Sequence, residues 1–141
     1  MGGKSNMKKT FEGKSIKKLG IVEGEALVTT DLVAFWGGSD WESGDIVEAG
    51  HEAKGKNMTG KVLVFPAGKG GAGDTFGWYY MERNGKAPIA LICNRAQGTT
   101  LAGALLTDTP MIYGFKEEIE KVIKTGDRVR VDSDKGTIEL L

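Results

Sequence analysis

The chain has 141 residues, 40% of them apolar and 27% charged, and its formal net charge is zero. This length gives a single domain, and the composition is that of an ordinary globular protein. Zero net charge excludes the strong positive field that draws a protein to nucleic acid or to an anionic membrane. The only cysteine, Cys93, has no disulfide partner within the chain, which fits a reducing cytoplasm. No apolar run approaches the roughly 18 residues that a membrane span needs.

The first part of the chain carries weak patterns. Residues 1–10 have no periodicity and are predicted to be disordered, which leaves residues 11–141 as a single domain. Between residues 12 and 28, loose alternation over 14–18 and again over 24–28 predicts a β-hairpin.

The middle of the chain alternates strands with helices. Three apolar runs, at residues 62–65, 87–93 and 111–113, have the length and composition of buried strands. Helical spacing follows each of the first two runs, and this alternation implies parallel pairing with right-handed crossovers.

The end of the chain predicts two further elements. A helix is expected at residues 115–123, and an antiparallel hairpin at 128–132 and 137–140. The whole pattern predicts a mixed α/β fold in which central parallel βαβ units are flanked by antiparallel hairpins.

A glycine-rich loop, residues 66–75 (PAGKGGAGDT), joins the first buried strand to a helix that Asp74 or Thr75 would cap. Free backbone N–H groups and the positive end of a helix dipole make such a loop a good anion site. A carboxylate or phosphate-bearing substrate would be the ligand, and its predicted contacts are Lys69, Gly70, Gly71, Ala72 and Gly73. The loop lacks the endings of a P-loop and of a dinucleotide fingerprint. A turn that only permits tight packing is the alternative, and the pattern alone does not decide between them.

A second unusual segment is FWGGSD at residues 35–40. Two aromatic side chains before paired glycines are uncommon in a plain turn. The segment is either an aromatic plug in the core or a wall of a ligand pocket or subunit interface. The residues concerned are Phe35, Trp36, Gly37, Gly38 and Asp40.

Three single residues are candidates for chemistry. Arg95 follows the second buried strand, at the strand end where open α/β sheets bind ligands, and it could grip a carboxylate or simply be exposed. His51 lies in a polar stretch and is predicted to be solvated, and a phosphohistidine role has no supporting motif. Cys93 ends an apolar strand and is predicted to be a core residue, since one thiol cannot hold an iron–sulfur cluster.

Taken in order, several blocks of the sequence resemble the small subunit, or swivel domain, of the aconitase X family over about residues 11–141. This family includes dehydratases of phosphomevalonate and of cis-3-hydroxyproline. The blocks are GEALV at 24–28, FWGGSD at 35–40 with Gly44 and Ile46, GKVLVFP at 60–66, GKG at 68–70, RNGKAP at 83–88 and TGDRVRV at 125–131.

The resemblance implies a swivelling β/β/α domain that pairs with a larger subunit in a heterodimer. It implies that the larger subunit holds the iron or iron–sulfur centre, with no cofactor in this chain, and that the active site forms between the two. The implied reaction is the loss of water from a hydroxy acid, with a serine of the swivel-domain loop acting as the base.

The sequence departs from the family at that serine. The family loop resembles Gly-Ser-Ser-Thr-Gly-Ser, whereas residues 70–75 here read GGAGDT, so the serine expected near Gly71 or Ala72 is absent. Asp74 or Thr75 could replace it as the catalytic residue, and a carboxylate is the easier base. Alternatively, the partner supplies the base, the reaction has changed, or the chain is a non-catalytic binding module.

Overall fold

The computed structural model describes residues 9–141, which form eight strands and three helices. The strands are β1 (Lys9–Glu12), β2 (Lys14–Ser15), β3 (Ile21–Val28), β4 (Val62–Phe65), β5 (Ala90–Cys93), β6 (Met111–Tyr113), β7 (Arg128–Asp132) and β8 (Thr137–Leu140). The helices are α1 (Asp74–Arg83), between β4 and β5; α2 (Gly98–Leu106), between β5 and β6; and α3 (Ile119–Val122), before β7.

All eight strands are connected in the order β1-β8-β7-β3-β4-β5-β6-β2. Strand β3 joins two halves of different character: its residues 21–25 pair antiparallel with β7, and its residues 26–28 pair parallel with β4. Strands β4, β5 and β6 lie side by side and parallel, which confirms the predicted βαβ units. Strands β7 and β8 form the predicted closing hairpin.

Strand β4 has no exposed residue because it separates two cores. Successive side chains of a strand point to opposite faces, so Leu63 and Phe65 pack in one core and Val62 and Val64 in the other. The first core includes Trp78 of α1, and helix α2 contributes to it as well. The second core is closed by α3 and by the strands of the β7–β8 hairpin. The layers are therefore β/β/α, as the family resemblance implied.

The predicted hairpin at residues 12–28 is wrong. Strand β2 pairs antiparallel with β6, where Lys14 lies opposite Tyr113, and β3 pairs with β4 and β7 instead. Alternation marks a segment as a strand but does not select its partner, and here the partners lie far away in the sequence.

The helix predicted at residues 115–123 is reduced to the single turn α3. Asn94, which follows β5, sets the start of this turn, because its side-chain oxygen accepts a hydrogen bond from Ile119 N at 3.3 Å. At the other end of the chain, β1 begins at Lys9, inside the segment predicted to be disordered, and residues 1–8 lie outside the described residues.

At its residue Gly77, helix α1 packs directly on the backbone of the FWGGSD segment at residues 35–40, called the aromatic segment below. A Cβ at this position would lie 2.0 Å from Phe35 O, so Gly77→Ala forces the helix and the segment apart. We expect the substitution to lower the free energy of unfolding by about 1–3 kcal/mol, despite alanine's higher helix propensity of about 1 kcal/mol. The measurement is urea denaturation.

Gly98→Ala is the matched control for this prediction. Gly98 is the first residue of α2, and a Cβ there would meet nothing within 4 Å. We expect the unfolding free energy of the Gly98→Ala variant to equal or slightly exceed that of the native chain. Equal losses in the two variants would contradict the close approach at Gly77.

Candidate functional site

The glycine-rich loop lies where the parallel strands β4 and β5 end. Residues 66–73 follow β4, and residues 94–97 follow β5. The two connections touch, because Asn94 N and Arg95 N both donate hydrogen bonds to Pro66 O at 3.1 Å. The carboxyl edge of parallel strands is where open α/β sheets bind ligands.

The residues that lead into the aromatic segment (residues 35–40) run along the other side of the loop. Val33 N donates to Ala67 O at 3.2 Å, and Lys69 N donates to Val33 O at 2.9 Å. Val33 and Gly68 thus form an isolated parallel bridge that extends the sheet edge by one residue. The two segments that the sequence singled out are therefore neighbours in the fold.

Glycines let this loop lie flat on the residues beneath it. A Cβ on Gly68 would lie 2.1 Å from Thr100 Oγ1, and one on Gly73 would lie 2.7 Å from the Trp36 ring. Gly70 and Gly71 have φ values of 91° and 99°, which other residues rarely adopt. Tight packing, the alternative raised from the sequence, accounts for Gly68 and Gly73, whereas Gly71 and Ala72 remain exposed at the tip.

Asp74 ties the loop to the aromatic segment. Its Oδ1 accepts hydrogen bonds from Phe35 N at 2.8 Å and from Trp36 N at 3.1 Å. The predicted capping role of Asp74 or Thr75 is wrong, because Gly73 occupies the cap of α1 and no side chain caps that end. The Asp74 carboxylate spans to a different segment instead of bonding to its own helix.

The other oxygen of Asp74 lies in a buried polar layer under the loop. The residue is 2% exposed, and its Oδ2 has no hydrogen-bond partner within residues 9–141. Thr100 Oγ1 is likewise buried and without a partner in that range. Both atoms flank Gly68, whose Cβ position lies 2.1 Å from Thr100 Oγ1 and 3.6 Å from Asp74 Oδ2.

Burial raises the pKa of Asp74 above its ordinary value of 3.8. The backbone N–H groups of Phe35, Trp36 and Gly70 act in the opposite direction, because they favour the charged form. The net result is a carboxyl group that holds its proton more tightly than an exposed aspartate does.

Thr75 and Gln97 connect the starts of the two helices. Thr75 Oγ1 donates to Thr99 O at 2.8 Å, which engages the hydroxyl that was predicted to be catalytic. Gln97 caps α2, since its Oε1 accepts from Thr99 N at 2.8 Å and from Thr100 N at 3.4 Å. Gln97 and Thr100 were not predicted as site residues. The available signal for Gln97 was a polar side chain immediately before a helical pattern.

The predicted cations both lie at this edge of the sheet. Arg95 is exposed in the connection after β5. Lys69 is exposed in the glycine loop, where its Nζ forms an ion pair with Glu48 Oε2. Cys93, immediately before this edge, is a core residue as predicted: burial raises its pKa to about 12, so it stays a thiol.

In the aromatic segment, one aromatic side chain lies in the core and the other lies at the surface. Phe35 is fully buried and packs edge-on against Trp78, with ring centroids 5.3 Å apart. Trp36 is 53% exposed and lies 5.2 Å from the ring of Trp41, beside the loop. Behind it, Gly37 has a φ of 83°, and Gly38 is buried against Ala34.

Asp40 orders the turn that follows the aromatic segment. Its Oδ1 accepts hydrogen bonds from Glu42 N at 2.9 Å and Ser43 N at 3.4 Å. The Glu42 N–H in particular lowers the pKa of Asp40, so this carboxylate stays charged.

His51 is buried, so its predicted solvated position is wrong. Its Nδ1 accepts a hydrogen bond from Ala53 N at 3.0 Å, so the proton is on Nε2, which lies 2.9 Å from Leu32 O. A side chain that is 8% exposed, with both ring nitrogens engaged, is not a phosphohistidine carrier.

Neither a metal-binding cluster nor a membrane-spanning helix occurs in the part of the chain that the structure describes. No three His, Cys, Asp or Glu side chains there come together in a way that could hold a metal ion. No helix there is long and apolar enough to cross a membrane. The described residues form a β/β/α domain with a glycine-rich loop at one edge of the sheet, and the exposed Lys69, Arg95 and Trp36 lie in or beside that loop.

Comparison with known proteins identifies the family. The model of the aconitase X swivel domain matches residues 10–140. The phosphomevalonate dehydratase small subunit of Pyrococcus horikoshii is 40% identical over 131 residues, covering 93% of this chain and 95% of the relative. The corresponding subunit of Thermococcus kodakarensis is 39% identical over 122 residues, covering 86% and 90%.

Two solved structures agree with these relatives. The crystal structure of Thermococcus kodakaraensis aconitase X in its holo-form matches with a TM-score of 0.88 at 37% identity, covering 94% of this chain and 98% of that one. The solution NMR structure of a UPF0107 protein matches with a TM-score of 0.85 at 37% identity, covering 94% and 99%. This chain belongs to the aconitase X swivel-domain family. The predicted fold class and the predicted class of protein, a hydro-lyase small subunit, are confirmed.

The raised pKa of Asp74 predicts a pH-dependent stability. The folded state keeps the Asp74 proton to higher pH than the unfolded chain does, so the stability contributed by the protonated group is full below pH 3.8. It is lost as the pH rises through the folded-state pKa. Asp74→Asn keeps an oxygen for the Phe35 and Trp36 amides but does not titrate. We therefore expect the unfolding free energy of the native chain, relative to Asp74→Asn, to fall as the pH rises.

Urea denaturation of both proteins at several values between about pH 4 and pH 7 measures this difference. A difference that stays constant, or that grows as the pH rises, would contradict a pKa raised by burial.

Proposed function

We propose that this chain is the small subunit of a heteromeric dehydratase that removes water from a phosphate-bearing hydroxy acid, with phosphomevalonate as the first substrate to test. The observation that carries the proposal is the correspondence to phosphomevalonate dehydratase small subunits over nearly the full length of both chains. The exposed, cationic loop at the sheet edge supports an anionic substrate.

In this proposal the loop binds the acidic end of the substrate. Lys69 supplies a positive charge, and the backbone N–H groups of the loop, from Gly70 through Gly71 and Ala72 to Gly73, supply hydrogen-bond donors. Arg95, on the neighbouring connection, is the second cation within the same edge and suits bidentate recognition of a carboxylate or phosphate.

Asp74 is the better of the two predicted bases in chemical terms, since its pKa is raised and its Oδ2 has no partner within residues 9–141. However, Oδ2 lies beneath the loop backbone, and Thr75 directs its hydroxyl to Thr99 O. A base must come within hydrogen-bond reach of the proton that it removes. We therefore propose that Asp74 and Thr75 position the loop and that the large subunit supplies the proton acceptor.

The large subunit would also hold the metal centre. The described residues of this chain bring no metal-binding cluster together, and the family resemblance implies an iron or iron–sulfur centre in the partner. When bound, such a centre polarises the departing hydroxyl as a Lewis acid. We propose that residues 11–141 act as one swivel domain whose loop edge faces that centre, in a cytoplasmic enzyme.

The interface would include the exposed tryptophan. Trp36 borders the loop, and Gly37, Gly38 and Asp40 fix the backbone that carries it. Large aromatic side chains in a subunit interface often carry much of the binding energy. The buried Phe35 supports this surface from the core and does not contact the partner itself.

A non-catalytic binding module is the second candidate. The absence of a serine at Gly71 or Ala72 favours it, since neither residue can take a proton. This candidate predicts substrate binding by the assembled complex without turnover.

The dehydratase proposal predicts activity that depends on Lys69. The complex of this chain with its large subunit should dehydrate phosphomevalonate, and Lys69→Met should lower kcat/KM by about 10- to 100-fold, the value of one charge-assisted hydrogen bond. Lys116→Met, which removes an exposed lysine that belongs neither to the loop nor to the connection after β5, is the control and should be unchanged. Binding of phosphomevalonate by the intact complex without any turnover would favour the binding module.

The interface proposal predicts that Trp36→Ala weakens assembly. We expect the dissociation constant for the large subunit to rise by about 30-fold or more, as for the loss of an interface hot spot. Leu106→Ala is the control, since Leu106 is 67% exposed at the end of α2 away from the loop. Sedimentation velocity measures both constants. Equal affinities in the two variants would contradict the assignment of this surface.

A further inference from the structure

The lysine of the glycine loop is already engaged by an acidic side chain. Lys69 Nζ forms an ion pair with Glu48 Oε2, which was not among the predicted site residues. The backbone near each end of this pair is held by the stretch at residues 33–38, because Lys69 N donates to Val33 O at 2.9 Å and Val47 N donates to Gly38 O at 2.9 Å. Backbone hydrogen bonds therefore hold the chain at or next to both residues of the ion pair.

The second carboxylate oxygen of Glu48, Oε1, takes no part in the ion pair. Glu48 Oε1 is buried and has no hydrogen-bond partner in the described range. It lies against Gly38, where a Cβ would come within 3.0 Å of it. The second glycine of the aromatic segment thus leaves the space in which this carboxylate sits. Lys69 is the one cation that an ion pair assigns to Glu48 within residues 9–141.

We propose that Glu48 is an internal competitor for the anion that Lys69 binds. In the free chain its carboxylate takes the place of the substrate's acidic group on the ammonium, so an incoming anion must displace it. Glu48 thereby sets the affinity of the loop for anions and excludes neutral ligands. The proposal rests on the proposed role of Lys69 in binding the substrate's acidic group.

The exposure of the pair makes this exchange feasible. The Lys69 side chain is 46% exposed and that of Glu48 is 24% exposed. Ion pairs that reach solvent are weak, because water competes for both charges. A phosphate dianion attracts an ammonium more strongly than a carboxylate does at the same distance. Glu48 can therefore moderate anion binding without preventing it.

A competitor and a positioning group predict opposite results. If Glu48 competes, Glu48→Gln frees the ammonium and strengthens anion binding by about two- to five-fold, the range that a partly exposed ion pair supports. If Glu48 instead holds Lys69 in its binding position, the same substitution weakens anion binding.

The test is an NMR titration of the full chain with inorganic phosphate, which follows the backbone amides of Lys69 and Gly70 to Gly73. We expect a lower dissociation constant for Glu48→Gln and a higher one for Lys69→Met. In the Lys69→Met background, the Glu48→Gln change should have a smaller effect, because only the repulsion between the Glu48 carboxylate and phosphate remains to be removed. Glu117→Gln, which removes an exposed carboxylate outside the loop, controls for the change in net charge.

An unchanged or higher dissociation constant for Glu48→Gln would overturn the proposal, and so would the absence of phosphate binding by both the native chain and this variant. The titration requires neither a large subunit nor turnover. A failure of the dehydratase proposal would therefore appear separately, as a complex without activity.

Discussion

The hydrogen bonds of Asp74 join the two segments on which the site depends. A carboxylate at the start of α1 accepts the amides of two residues that lie 38 and 39 positions away in the sequence. Phe35 is thereby held in the core against Trp78, and Trp36 is held at the surface beside Gly73. Without this acceptor, two amides at the edge of the core would lose their partner, at a cost of about 1–3 kcal/mol each. The glycine loop and the aromatic segment therefore form one unit.

The parallel strands of the sheet place the two cations and the starts of two helices beside that unit. Because β4 and β5 are parallel, the connections that follow them emerge at the same edge, with Lys69 on one and Arg95 on the other. Helices α1 and α2 both begin there, and Thr75 and Gln97 link their first turns. The result is a surface that carries Lys69, its ion-pair partner Glu48 and Arg95, and whose exposed tip consists of Gly71 and Ala72.

The sequence predicted the elements whose signals are local. Strands β4, β6, β7 and β8 have the predicted bounds, because each is a short buried or alternating run between turn residues. The pairing of β2 with β6 was missed, since alternation says nothing about which strand lies alongside. The helix expected at residues 115–123 was too long because Asn94, from a distant connection, sets where α3 begins.

The same limit applies to the site. The loop, its lysine, Arg95 and the exposed Trp36 could be selected from residue type and spacing. The partner of Asp74, the position of Thr100 under Gly68 and the ion pair of Glu48 could not, because each joins residues far apart in the chain. Sequence chemistry favoured Asp74 as a base, whereas its burial and its hydrogen bonds favour a positioning role.

A crystal structure of the assembled enzyme with a bound substrate analogue tests the account most directly. The account predicts that the acidic group of the ligand lies within hydrogen-bond distance of Lys69 Nζ and the loop amides, while Asp74 still accepts the Phe35 and Trp36 amides. The account would be contradicted if the Asp74 carboxylate had left these amides and contacted the carbon from which the proton is removed. Asp74 would then be the base.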